Sequence, residues 1–107
     1  MTVLAFSLAR FTPSDLAEFN AIAEPNIGRG LWDRINRSTG RDFDRIQVKL
    51  PIIDRVVFSF ERDRNGHYQL YFHDNDGRHC IGNASTAADC LAIWRRRRLN
   101  DPVQVSA

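Results

Sequence analysis

Four consecutive arginines, Arg95, Arg96, Arg97 and Arg98, follow Trp94, and three histidines, His67, His73 and His79, stand upstream of them. Guanidinium forks hold phosphates and carboxylates through two parallel hydrogen bonds. Imidazoles transfer protons near neutrality or ligate metals. The two sets therefore raise three chemistries: grip on a polyanion, acid–base work, and recognition of a protein surface.

Spacing limits each of them. On a helix running through Arg98, successive side chains project about 100° apart, so four arginines in a row point nearly all round the axis and only Arg95 and Arg98 are close neighbours. Cations there also meet the exposed carbonyls of a helix C-terminus, worth about 0.3–1 kcal/mol each, without any ligand. A site that engaged all four on duplex DNA would give a log–log salt slope of about −3.6. His79 and Cys80 are adjacent, so a strand sends them to opposite faces, and Cys80 and Cys90 lack the short paired spacing of zinc modules. No metal is assigned. The stretch "NIGRGLW" has neither the spacing nor the Lys-Ser/Thr ending of a phosphate loop, so no cofactor is assigned either.

The chain has 107 residues, enough for one core without disulfides or metals. Apolar residues at 43% and charged residues at 26% place it with folded rather than disordered chains. Fifteen basic against thirteen acidic side chains leave a net charge of +2, and Lys49 is the one lysine. That balance does not announce a nucleic-acid binder; the basic character is concentrated in the arginine run. The start, "MTVLAFSLARF", lacks a basic leader and is interrupted by Arg10, which argues against a secretory signal or a membrane span. Cys80 and Cys90 read as free, buried thiols in a reducing compartment, hence a cytoplasmic protein.

The elements that must position these residues follow from periodicity. Residues 3 to 10 alternate Leu4, Phe6 and Leu8 with smaller side chains and suggest a strand. "TPSDLAEFNAIAEP" predicts a helix capped by Thr12, with Pro13 in the first helical position and Asp15 in the first turn; Leu16, Phe19, Ile22 and Ala23 form its buried stripe, and Pro25 discourages continuation. Leu31, Trp32 and Ile35 suit a second, short helix ending before Gly40, and "IQVKL", residues 46 to 50, a brief strand.

Residues 55 to 83 hold two similar turn signals, "DRNG" and "DNDG", between runs of aromatic and β-branched residues, which predicts a three-stranded antiparallel meander. A two-residue turn at Asn65 and Gly66 would split Phe58 and Phe60 from Leu70 and Phe72, whereas a three-residue loop with glycine in the left-handed conformation gathers all four on one face. Applied to both turns, the second choice puts Val56, Phe58, Phe60, Tyr68, Leu70, Phe72, Cys80 and Gly82 on one side. It leaves His67, His73 and His79 on the other, with Tyr71, Ile81, Ser59 and Glu61. "STAADCLAIW" then predicts a helix capped by Thr86, with Ala87, Cys90, Leu91 and Trp94 facing the even row and Gly82 permitting close approach.

The order helix, three antiparallel strands, helix resembles the plan of double-stranded-RNA-binding domains over residues 13 to 98, in topology alone. That family's basic cluster at the start of the last helix has no counterpart in "STAADC", so no residue role carries over.

The expectation is a single α+β domain over residues 1–100, with a mainly antiparallel sheet, a C-terminal helix and one or two N-terminal helices, followed by a flexible tail over 101–107. The leading functional reading is a small cytoplasmic binding or regulatory module that engages a protein partner through Tyr71, His73, His79 and Ile81. The second is a nucleic-acid-binding domain using Arg95, Arg96, Arg97 and Arg98, with Arg78 or Arg62 extending the basic path. The third is a small hydrolase or nuclease built on His73 and His79. No nucleophile, base and charge stabiliser can be assigned together, so no catalytic residue is named.

Overall fold

The computed structural model describes residues 10–53 and 55–94. The strand expected over 3–10, apart from Arg10, the four arginines 95–98 and the tail 101–107 lie outside the described residues. Helix α1 (Pro13–Gly28) is followed by five strands, β1 (Arg34–Thr39), β2 (Phe43–Lys49), β3 (Val56–Asp63), β4 (Tyr68–Asp74) and β5 (Gly77–Ala84), and then by the short helix α2 (Ala87–Cys90). The strands form one antiparallel sheet in chain order, β1-β2-β3-β4-β5. No helix among the described residues is long and apolar enough to cross a membrane.

Helix α1 begins as its sequence requires. The Thr12 hydroxyl accepts from the Asp15 amide at 3.0 Å and an Asp15 carboxylate oxygen accepts from the Thr12 amide at 2.9 Å, a reciprocal capping box. The helix runs past Pro25 to Gly28, three residues further than expected. The carbonyl that Pro25 leaves without its amide partner belongs to Ala21, and both residues face solvent, where water can satisfy it. One residue on, the Asn26 side-chain amide donates to the Ile22 carbonyl at 2.8 Å.

The second helix expected around Leu31, Trp32 and Ile35 is not formed; residues 34–39 are strand β1. Of those three apolar residues only Trp32 is buried, while Leu31 is 51% exposed, so no helical stripe would have been sheltered. Pairing with β2 instead sets Ile35, Arg37 and Thr39 opposite Val48, Ile46 and Asp44. Asp44 is fully buried, takes a bidentate contact from Arg37 and accepts the Phe11 amide at 2.8 Å, which ties the approach to α1 onto the sheet.

The first hairpin of the meander has the register expected for a three-residue loop, with Phe58 opposite Phe72 and Phe60 opposite Leu70. Gly66 supplies the required left-handed residue at φ 75°. The second hairpin departs from expectation. Asp74 pairs directly with Gly77 across a two-residue turn, so Phe72 faces His79 and Tyr71 faces Cys80. A bulge at Ile81 then restores the register, and Leu70 lies opposite Gly82. The even row therefore keeps Phe58, Phe60, Tyr68, Leu70, Phe72 and Gly82, but Cys80 is turned to the other face. A second irregularity, opposite Lys49, takes Val56 out of the row.

Both helices lie on the even face. Phe19, Ile22 and Ala23 of α1 join Trp32, Ile46, Val48, Phe60, Tyr68 and Leu70 in one core with Ala87, Cys90, Leu91 and Trp94. Phe60 is its centre, with ring centroids 5.0 Å from Phe11, 5.7 Å from Phe19 and 6.0 Å from Tyr68. Trp94 meets Trp32 and Phe58 edge-on, each at 5.2 Å. The C-terminal segment does not continue as one helix through Trp94. It breaks at Leu91, where the Trp94 amide bonds the Leu91 carbonyl, and the Cys90 carbonyl lies over Gly82.

Cys80 and Cys90 are both free, but only Cys90 is buried, which corrects the expectation of two inaccessible thiols. Desolvation pushes the Cys90 thiol up to about 12. A disulfide-exchange reagent such as Ellman's is expected to titrate one thiol in the native protein and both in denaturant, with Cys80→Ser abolishing the native signal. A native count of two would contradict the packing of Cys90.

Candidate functional site

The side of the sheet opposite the helices is built from odd positions of β3 and β4 and their cross-strand partners. Glu61 stands opposite Arg45 on β2 and Gln69 on β4; Ser59 stands opposite Gln47 and Tyr71. Alternation alone puts all of these on one surface.

Glu61 is 7% exposed and would be an expensive charge to bury alone. Two arginines compensate it. Arg45 Nε and Arg78 Nη1 both donate to Glu61 Oε2, at 2.8 and 2.9 Å. Each guanidinium is braced from below by an aromatic ring: Arg45 sits 4.2 Å from the Phe43 centroid and Arg78 3.8 Å from that of Tyr71. The five side chains come from four strands, so their arrangement is fixed by sheet register rather than by a loop.

His73 lies two positions along β4 from Tyr71 and opposite Arg78. Its Nε2 is 2.8 Å from Ser59 Oγ, and its backbone carbonyl accepts from Arg55 Nη1 at 3.2 Å. Desolvation lowers the His73 imidazole from its ordinary value, and the positive charge of Arg78 lowers it further, so at neutral pH the ring is uncharged. Burial likewise raises the Tyr71 hydroxyl. This cluster is a fixed array of donors and acceptors: one carboxylate, two guanidinium groups, a neutral imidazole and a phenol.

Among the four residues expected to form a docking surface, Tyr71 and His73 are brought together. His79 is not with them. The two-residue turn places it across from Phe72 on the helix side, with ring centroids 6.4 Å apart, and its Nε2 lies 2.9 Å from Asp74 Oδ1. That bond holds the Asp74 carboxyl below its ordinary value. Ile81 occupies the bulge and packs half-buried against the core. With His73 and His79 on opposite faces, the two imidazoles share no cleft. Ser59 cannot serve as an accessible nucleophile either, since it is 1% exposed beneath its neighbours. Arg62, proposed as an extension of a basic path, faces inward and donates to Asp15 Oδ2 at 3.1 Å and to the Arg10 carbonyl at 2.8 Å.

The chain matches no protein-family model, no curated protein and no solved structure. Among the described residues, no group of three His, Cys, Asp or Glu side chains is arranged to hold a metal ion. Arg45 is not among the expected site residues: the pattern "IQVKL" starts the strand at Ile46, whereas the alternation in "FDRIQVK" starts at Phe43 and puts Arg45 beside Gln47.

Proposed function

We propose that the protein is a binding module that docks a protein partner on the face of the sheet opposite its helices, around Tyr71 and His73. The observation that carries this reading is the asymmetry of the sheet. Both described helices pack on one face, while the other holds an aromatic, arginine and imidazole array locked by its own hydrogen bonds. Tyr and Arg are the residues that most often anchor protein interfaces, and side chains already held in place lose little conformational entropy when a partner arrives. A cytoplasmic setting goes with the reading, because an exposed free thiol at Cys80 suits a reducing compartment.

The test is site-directed photo-crosslinking in cells. A photoreactive residue at Gln69, on the docking face, is expected to trap one protein that the same residue at Ala17, on the exposed side of α1, does not. The trapped protein, purified, should bind the wild-type chain and lose about tenfold or more in affinity to Tyr71→Ala, the loss typical of an interface anchor. Identical adducts from both positions, or unchanged affinity in Tyr71→Ala, would overturn the proposal.

A further inference from the structure

Arg45 and Arg78 each give a single donor to Glu61, out of five on a guanidinium. Arg45 uses Nε, which leaves the edge formed by its two terminal amino groups; Arg78 uses Nη1, which leaves the edge between Nε and Nη2. Each therefore retains the two-donor edge that matches a carboxylate. The rings of Phe43 and Tyr71 hold the two planes, and the Arg45 and Arg78 side chains keep 27% and 43% of their surface exposed while that of Glu61 keeps 9%. Two positive groups around one submerged negative group leave an outward surplus of positive charge.

We infer that Arg45 and Arg78, clamped on either side of Glu61, form a receptor for an acidic segment of the protein partner, two of whose carboxylates seat on the two free guanidinium edges. This rests on the reading of that face as a protein-docking surface and names the chemistry of what docks there. Charge complementarity selects the occupant. At the Phe43 end of the strands the same face carries Asp63, directly across from Phe43. A nucleic-acid strand carries a charge at every nucleotide and on passing Phe43 would meet Asp63, whereas a short acidic segment can seat on the two arginines alone. Single-stranded nucleic acids also stack bases on open aromatic faces. Here Tyr71 and Phe43 already carry guanidinium groups of their own chain.

The experiment uses the purified full chain and three fluorescent probes, hexaglutamate, hexaglutamine and decauridylate, in anisotropy titrations at matched ionic strength. Hexaglutamate is expected to bind with a Kd below about 1 mM and about tenfold or more tighter than hexaglutamine. Arg45→Gln with Arg78→Gln should weaken hexaglutamate by about tenfold, as loss of two charge-assisted contacts requires. Arg78→Gln alone, at the more exposed of the two arginines, should weaken it by about threefold and serves if the double variant fails to fold. Replacing Arg95 to Arg98 by Gln should leave hexaglutamate binding in place.

Decauridylate binding tighter than hexaglutamate would overturn the inference in favour of nucleic acid. So would no hexaglutamate binding at all, or binding that survives loss of Arg45 and Arg78 but not loss of Arg95 to Arg98. The crosslinked partner separates this inference from the reading beneath it. If that partner loses affinity to Tyr71→Ala yet binds the double arginine variant like wild type, the docking face stands and the acidic receptor falls.

Discussion

Asp15→Ala is expected to cost about 3–5 kcal/mol of folding stability, the range found when one member of a buried, hydrogen-bonded ion pair is removed. Asp15 Oδ2 accepts from three donors: the Thr12 amide at 2.9 Å, the Tyr68 hydroxyl at 2.7 Å and Arg62 Nη1 at 3.1 Å. Without it the Arg62 guanidinium, whose side chain is 12% exposed, loses the carboxylate that balances its charge. Arg62 Nε already has no hydrogen-bond partner, so little remains to compensate the group. The Tyr68 hydroxyl, pushed up to about 12 first by burial and then by its bond to Asp15, would lose its acceptor inside the core. The N-terminal turn of α1 would lose half its capping box as well.

For a domain of this size the melting temperature should fall by about 20 °C, taking roughly 4–8 °C per kcal/mol. Asp15→Asn keeps the volume and one acceptor oxygen and should cost about half as much. A double-mutant cycle with Arg62→Ala identifies the source: if the ion pair dominates, the double variant is less destabilised than the two singles added together. A loss below about 1 kcal/mol in Asp15→Ala would mean that Arg62 finds water, and that the junction between α1 and the sheet is not dry.

Residues whose partners are close in sequence or fixed by a turn were legible before any coordinates. Thr12 and Asp15 are three apart, and their capping box needs only the first turn of α1. Phe58, Phe60, Leu70 and Phe72 had to share a face, and that condition alone selected the loop containing Gly66. Gly82 beneath α2 followed from the same row. What sequence could not supply were choices settled by more distant pairing. Leu31, Trp32 and Ile35 fit a helical stripe as well as they fit any other pattern, and it is the ladder to β2, with Ile35 against Val48, that makes β1 a strand. "DNDG" resembles "DRNG", yet its two-residue turn is tolerated because the bulge at Ile81 absorbs the one-residue slip further along β5.

The candidate site divides along the same line. Tyr71 and His73 share one face because they are two apart on one strand, whereas the slip moved His79 to the other face. The ring of contacts around Glu61 joins β2, β3 and β5, so it depends on several registers at once. No local pattern announces that Arg45 and Arg78 end on one carboxylate oxygen.

Gly82→Ala is expected to destabilise the protein by about 2 kcal/mol, and Gly82→Val by more. A Cβ at Gly82 would stand 2.5 Å from the Cys90 carbonyl oxygen and 3.2 Å from the Leu70 Cβ. Two effects oppose each other. Alanine restricts the unfolded chain and would stabilise by about 0.4–1 kcal/mol if the site had room, while overpacking in a core costs about 1–3 kcal/mol. The clash prevails because the obstructing atom is backbone, and the backbone there is pinned. Leu91, the next residue, is fully buried, and Trp94 is locked edge-on against Trp32 and Phe58. Relief requires α2 to lift from the sheet as a unit, so the near-ultraviolet circular dichroism of the tryptophan cluster should weaken along with the stability. Gly28→Ala is the control, since nothing lies within 4 Å of a Cβ there, and it should be neutral or mildly stabilising. Urea denaturation of the three proteins reads the effect directly, as a lower midpoint for Gly82→Ala at unchanged slope. If Gly82→Ala instead melts within about 0.5 kcal/mol of the parent, α2 is not seated on β5 as described, and the row from Phe58 to Gly82 has a different cover.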